Sequence, residues 1–578
     1  MRKFKLSTLV LLGVATMGIT ACGGSGGGEG GSTSGGEDNP ALKGPVEFWH
    51  NFGAKYSNIT EDTLTKPIKA DKDITFKVHP VGSYDKLLTE ISYSIAQSKF
   101  PNVATGYPDH FANYANVGYP AKRTGILVGL DDYLANSKVA KEFKEKYGYE
   151  LKDDYFPEYM KENTEIAYDA NDNPVTIGLP FNKSTEVMGY NGVFYDFVKA
   201  NEATYGEVKV PETWAEWATY GPRFRKAQLD IAGKYVKGTL GTPSTYTVVN
   251  DKPADDQLVL DFSEVTPKES AVLSWDSGAN MFITLVRQYG STFTTYTEAD
   301  RKQKDEQYRH GYIEFYTAEN KAKTLEAINM VLGLTTGTTA APADLEPGAT
   351  EEQKTAYRNY YEKQIFATPA TFGTGYSSNA FAYGRVLFTV CSTGGLSYNI
   401  NANQEFRIAP IPYKDVDHKF VISQGANITV FNQKCIADTS KSYTPAQMAE
   451  ASFNAAVYMT TGDYQAKFAT KTGYFPATKS ASNSKIYQDF LKADTSDPID
   501  RAYRDGAKIN EDEYMNASKK WDKFVDPGFV GSSVIRTEVD GLINGIITAQ
   551  KSTGFNADTW MTSFWNKPTL AKYNPEAK

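Results

Sequence analysis

The sequence predicts a two-lobed α/β protein in which each lobe is assembled from discontinuous segments. Three observations predict it. Short strands alternate with amphipathic helices over residues 46–130, helical patterns dominate the middle of the chain, and strands return after residue 386. The alternation gives a largely parallel sheet. Strands that reappear late rejoin sheets begun earlier, so the chain crosses between lobes several times.

The elements follow in order. Val46-Glu47-Phe48-Trp49 opens the body as a strand, and Ile74 to Val78 alternates apolar and polar residues as a second. Tyr84 to Lys99 places Leu87, Leu88, Ile91 and Ile95 on one helical face. Further strands are expected at 102–105, 126–130 and 175–179. Thr213-Trp214-Ala215-Glu216 and Thr444-Pro445-Ala446-Gln447 fit the capping box, the second with proline at the first helical position. Strands are expected again at 386–390, 406–411 and 428–431. Residues 230–268 and 336–364 are polar elaborations. The expected division puts 44–160 and 410–440 in one lobe, and 161–409 and 441–578 in the other.

Ahead of this body, Arg2, Lys3 and Lys5 precede an uncharged run from Leu6 to Gly18, followed by Ile19-Thr20-Ala21-Cys22. This is the layout of a secretory signal over residues 1–21, and the run is short for a permanent membrane span. Gly23 to Asn39 is nearly all Gly, Ser and acids, a flexible coil reaching about 20–25 Å from its origin. Ile-Thr-Ala-Cys resembles the lipobox of bacterial lipoproteins. That resemblance implies acylation of Cys22, a tether over 22–43 and an extracytoplasmic body held at a membrane by lipid.

Composition excludes several classes. The formal charge is −8 with no basic stripe, which argues against nucleic acid as a partner. Beyond Cys22 only Cys391 and Cys435 remain, too few for a disulfide scaffold. None of the five histidines pairs with another at metal-ligand spacing. No nucleophile elbow or phosphate-cradling glycine loop occurs, so no catalytic residue, metal or cofactor is expected. Asp169 to Asn173 lacks the glycine and distal glutamate of a calcium loop and reads as a turn. Two carboxylates distant in sequence can still meet in space, which keeps an extracellular, membrane-anchored carbohydrate-active enzyme as the alternative.

What the chain does contain is aromatic residues beside small polar ones at strand ends. Trp49-His50-Asn51, Gly82-Ser83-Tyr84, Pro180 to Thr185 and Ser392-Thr393-Gly394-Gly395 all fit this description. Ligands of open α/β sheets bind beyond such ends, and aromatic faces stack on sugars while hydroxyls bond their oxygens.

At these residues the chain resembles the solute-binding lipoproteins of bacterial ABC importers, of the maltodextrin-binding and glycerol-3-phosphate-binding type. Phe48-Trp49-His50, Gly82-Ser83-Tyr84-Asp85, Pro180-Phe181-Asn182-Lys183-Ser184-Thr185 with Tyr190-Asn191, Thr472-Gly473-Tyr474-Phe475-Pro476 and Ile535-Arg536 carry the likeness. It implies a periplasmic-binding-protein-like fold, an inter-lobe cleft, hinge closure on a sugar or polyol phosphate, and delivery to permease subunits. It also implies ligand contacts from Tyr84, Ser184, Trp275, Gly425, Tyr474 and Arg536, with Ser392 or, in register, Thr393. Asp109 stands one place from where the family has a glutamate, and Gly278 where it has a second tryptophan. Those departures fall on glycerol-contacting groups, so the resemblance does not fix glycerol-3-phosphate as the ligand.

Overall fold

The computed structural model describes residues 45–118, 123–305, 309–338, 340–400, 405–432 and 444–576. Strand β1 (Val46–His50) buries every second side chain, and β2 (Phe76–Pro80) pairs with it in parallel. Helix α1 (Tyr84–Ala96) starts where the Ser83 hydroxyl accepts the Lys86 N–H, and it buries Leu87 and Ile91. Strand β3 (Val103–Gly106) lies parallel to β1, and α2 (Pro108–Ala115) follows at once with proline at its start. Helix α3 (Pro157–Thr164) leads into β4 (Leu179–Asn191), thirteen residues long and buried almost throughout.

The second half of the sheet begins with β5 (Ala271–Trp275), followed by α4 (Gly278–Gln288) and the short α5 (Ser377–Ala382). Strands β6 (Val386–Ser392), β7 (Phe406–Ala409) and β8 (Phe420–Val430) come next. Helices α6 (Pro445–Thr460) and α7 (Gly462–Thr472), strand β9 (Asp522–Phe524) and α8 (Ser532–Asp540) complete the elements that matter for the site. The predicted box at Thr444 forms in full, with Gln447 closing it.

The sheet order is β5-β6-β4-β8-β3-β1-β2, with β7 added to β4 and β9 to β8. It is mixed rather than largely parallel, which corrects the expectation. Strand β4 runs antiparallel to β6, β7 and β8, and β8 antiparallel to β3. These two long strands tie the halves together. Residues 179–185 of β4 pair with β8, whereas residues 186–191 pair with β6 and β7. Their side chains divide the same way. Leu179, Phe181, Ile428 and Val430 join the core around β1, and Val187, Met188, Val421 and Ile422 join the core around β5 and β6.

Core membership shows which segments cover each half of the sheet. Ala451, Phe453 and Phe468 of α6 and α7 pack with Val46 and Phe48, and Ile166, Ala167 and Ile177 pack with Leu87 and Ala104. Residues of 166–181 and 451–468 therefore pack on the first half of the sheet. Two strand expectations also change. Within 126–130 only Leu127 bridges, to Phe431, and 175–179 is split between the pair 167–168/174–175 and the start of β4. Short apolar runs without a neighbour of matching length do not extend into strands. The 230–268 elaboration folds as a three-stranded antiparallel sheet of its own. Residues 169–173 are the expected turn, in which the Asp169 carboxylate accepts N–H groups from Asn171 and Asn173.

Cys391 is a free, buried thiol. Cys22, the signal and tether around it, and Cys435 lie outside the described residues. Among the described residues no helix is long and apolar enough to cross a membrane, and no cluster of His, Cys, Asp or Glu is placed to hold a metal ion.

Candidate functional site

A cleft of about 500 Å³ opens where the two halves of the sheet meet. From the first half come Asn51 and Phe52 just past β1, Tyr56, Tyr84 at the start of α1 and Tyr107 just past β3. From the second come Asp276 and Ser277 just past β5, Asn280 of α4, Tyr376 before α5, and Ser392 ending β6 with Gly394, Gly395 and Tyr398 beyond it. The floor is Ser184 and Glu186 of β4 with Gln424 and Gly425 of β8. The walls thus come from strand ends and the turns beyond them, and the floor from the middles of β4 and β8.

Five of the sequence-predicted residues line this cleft: Tyr84, Ser184, Ser392, Gly425 and Tyr474. The Tyr84 ring stacks on Tyr107 with centroids 4.1 Å apart, and its buried hydroxyl has no hydrogen-bond partner. Tyr474 lies parallel to Phe468 and closes against Gly394, where an added Cβ would meet its ring at 2.6 Å. Ser392 donates to the Ser184 hydroxyl at 3.3 Å, joining β6 to β4 across the floor. Gly425 has φ +96, and a Cβ there would lie 1.9 Å from the Asn182 carbonyl oxygen. Only glycine lets β8 cross β4 so closely.

The other four sit elsewhere. Trp275 is buried behind the wall, where its indole N–H donates to Glu186 Oε1 at 3.0 Å. Thr393 is buried beneath the turn, its hydroxyl without a partner. Asp109 and Arg536 line a side chamber of about 140 Å³, which shares Tyr107, Asn280, Gln424 and Gly425 with the cleft. There the Arg536 guanidinium donates to the Asn280 side-chain oxygen, and Asp526 faces it with both carboxylate oxygens unpartnered. Burial raises Asp526 to about 6, restrained by the charges of Arg536 and Arg287.

Sequence reasoning missed Glu186, Asp276, Asn280, Gln424 and the exposed Tyr376 and Tyr398. Glu186 was within reach. It stands two residues beyond Ser184, and alternate residues of a strand share a face. The tyrosines carry no such signal, because they sit on turns whose approach to the cleft depends on the whole sheet.

Charge in the cleft is one-sided. Among the described residues lining it, Glu186 and Asp276 are the charged ones, and no Lys, Arg or His joins them. Burial pushes Glu186 up to about 7; bonds from Trp275 and Asn280 restrain the rise and the neighbouring Asp276 adds to it. Asp276 is also raised by burial, against donations from Ser377 and Ser378. The arrangement offers aromatic faces, amide and hydroxyl groups and two carboxylates, a set suited to gripping a polar, ring-containing solute.

Comparison with known proteins gives this geometry a context. Residues 63–495 match the family model described as bacterial extracellular solute-binding protein. No curated protein matches the sequence. Among solved structures, UgpB from Mycobacterium tuberculosis, in complex with glycerophosphocholine, aligns at 16% identity and TM-score 0.54, over 90% of this chain and 96% of its own. A cyclic α-maltosyl-1,6-maltose binding protein from Arthrobacter globiformis aligns at 14% and 0.53, over 92% and 99%. An ABC substrate-binding protein of Listeria monocytogenes in complex with cycloalternan aligns at 14% and 0.53, over 90% and 96%. The likeness is one of fold, two lobes about a cleft.

Proposed function

Because the chain belongs to the family of bacterial extracellular solute-binding proteins, we propose that it captures a carbohydrate between its lobes and delivers it to the transmembrane subunits of an ABC importer. The observation that carries this reading is the convergence of both halves of the sheet on one aromatic, hydrogen-bonding cleft of about 500 Å³. A ligand touching both halves favours the closed arrangement over the open one, and β4 with β8 supplies the pivot. Binding alone fulfils this role, so the chain needs no catalytic group. The family places the body outside the cytoplasm, and acylation of Cys22 would hold it at the membrane. Substituting Cys22→Ser is then expected to release the protein from the membrane fraction of a native host, with loss of lipid labelling; continued labelling refutes the anchor.

The binding reading is tested by thermal shift and calorimetry against neutral oligosaccharides and glycerophosphodiesters. Tyr398 is 59% exposed and Tyr376 64% exposed. Replacing either with alanine is expected to leave the melting temperature of the free protein unchanged and to weaken a stacked sugar by about tenfold. A ligand returned chemically altered would instead identify an enzyme. A second reading, a phosphorylated polyol, is favoured by one observation, the Arg536 guanidinium in the lining of the side chamber. Under it, Arg536→Ala abolishes phosphodiester binding and spares neutral sugars.

A further inference from the structure

Two carboxylates in the cleft each keep one oxygen unused. Glu186 is 1% exposed, yet both of its bonds, from Trp275 Nε1 at 3.0 Å and Asn280 Nδ2 at 3.1 Å, go to Oε1. Its Oε2 is buried and receives no hydrogen bond of normal geometry; the Gln424 side-chain amide faces the carboxylate, itself without a bonded acceptor. Asp276 accepts from the Ser377 N–H and hydroxyl and from the Ser378 N–H, all through Oδ1. The side chamber adds Asp109 and Asp526, whose oxygens accept no hydrogen bond, against Arg536 in its lining and the nearby charge of Arg287; Glu162 also lines it but is held by Lys183. Lys55 stays at the rim, bonded to Ser397 and 5.8 Å from the ring of Tyr398. A buried carboxylate without a counter-charge costs several kcal/mol, so proteins keep one where something neutralises it.

We propose that the cleft is built for a sugar carrying a protonated primary or secondary amine, seated between the free oxygens of Glu186 and Asp276. This rests on the binding-protein reading and names its ligand class. An N–H-bearing cation supplies both what Oε2 lacks, a donor, and what the cleft lacks, a positive charge. A quaternary ammonium brings charge without a donor, and a hydroxyl brings a donor without charge. The tyrosine faces accommodate the ring and strengthen the hold on a cation above them.

Proton linkage gives the proposal a distinctive sign. The groups facing Glu186 are Trp275 of β5, Asp276 after it, Asn280 of α4, Gln424 of β8, Cys391 of β6 and Tyr514, whose hydroxyl donates to the Glu186 carbonyl; none is a cation. Arg536 reaches it only through Asn280. With Glu186 near 7, an incoming ammonium lowers its pKa and expels a proton, whereas a neutral sugar that dries the cleft raises it and takes one up.

The experiment uses the mature chain and oligosaccharides paired to differ only in one amine against hydroxyl or N-acetyl, over α-1,4, α-1,6 and β-1,4 linkages. Calorimetry near pH 7 in buffers of different ionisation enthalpy counts protons. The expected result is that an amine member binds more than about tenfold tighter than its neutral pair, with proton release. Glu186→Gln, which keeps an oxygen for Trp275 and Asn280, is expected to abolish both the preference and the release. Melting of this variant without ligand, at or above the parent temperature, excludes a folding defect. Equal binding of a neutral pair member, or a preference untouched by Glu186→Gln, overturns the proposal and leaves the carbohydrate reading standing. Binding of nothing in the panel counts against both.

Discussion

Replacing Glu162 with glutamine is expected to cost about 3–5 kcal/mol of stability, because it removes the carboxylate that neutralises the buried Lys183. Glu162 on α3 accepts from Lys183 Nζ through both oxygens, at 2.9 and 2.8 Å, with the side chains 3% and 1% exposed. Lys523 of β9 lies close by, donating to the Tyr159 hydroxyl and the Asn510 side-chain oxygen at 2.8 Å each. Burial, and then the charge of Lys183, push Lys523 down to about 7, while Glu158 and Glu162 oppose the fall. The sign for pH follows. Above about 7 the unfolded chain holds a proton on Lys523 that the folded chain has lost, so stability rises with pH from there toward the ordinary lysine range. In the Glu162→Gln variant that window should begin at lower pH. Urea unfolding at pH 6 and pH 9 checks both statements. Equal stability of variant and parent at pH 6 would show that the pair contributes nothing.

Substituting Gly425→Ala should damage stability and the site together. A Cβ at φ +96 costs about 1–2 kcal/mol in backbone strain alone. The clash with the Asn182 carbonyl and the Lys183 Cα adds about 1–3 kcal/mol, because neither is a side chain able to swing away. Relief requires β8 to separate from β4 at the floor of the cleft. Chemical denaturation is expected to show the loss of stability, and ligand binding measured well below the transition is expected to fall at least tenfold. A variant that is destabilised but binds normally would mean that the floor does not touch the ligand.

How much of this was legible in the chain depended on the range of the cause. Helix α1 and the box at Thr444 were readable because a cap and an apolar stripe act within a few residues. The turn before Tyr84 and the strand end at Ser392 were readable for the same reason. Strand β4 was not, since Asn182, Lys183, Ser184 and Glu186 look like a solvated turn and are all buried. Their partners, Glu162, Ser392, Trp275 and Asn280, lie 21 to 208 residues away. Arg536 and Asp109 were placed in the cleft by likeness to a pattern, and the fold seats them in the adjoining chamber because α2 and α8 flank it. Trp275, expected among the ligand contacts, is buried and donates to Glu186.

The sharing of β4 and β8 between two cores also governs the order in which this chain is able to fold. Strand β8 pairs Asn427 with Gly106 and Gly425 with Lys183, so both halves wait for it. Until residue 430 has emerged, β3 lacks its partner on the β4 side, and residues 179–185 of β4 keep an open edge. Native contacts of such sequence separation form slowly and late. A nascent chain of this topology therefore spends most of its synthesis with its sheet in two unjoined parts, an unfinished condition compatible with passage through a narrow membrane pore.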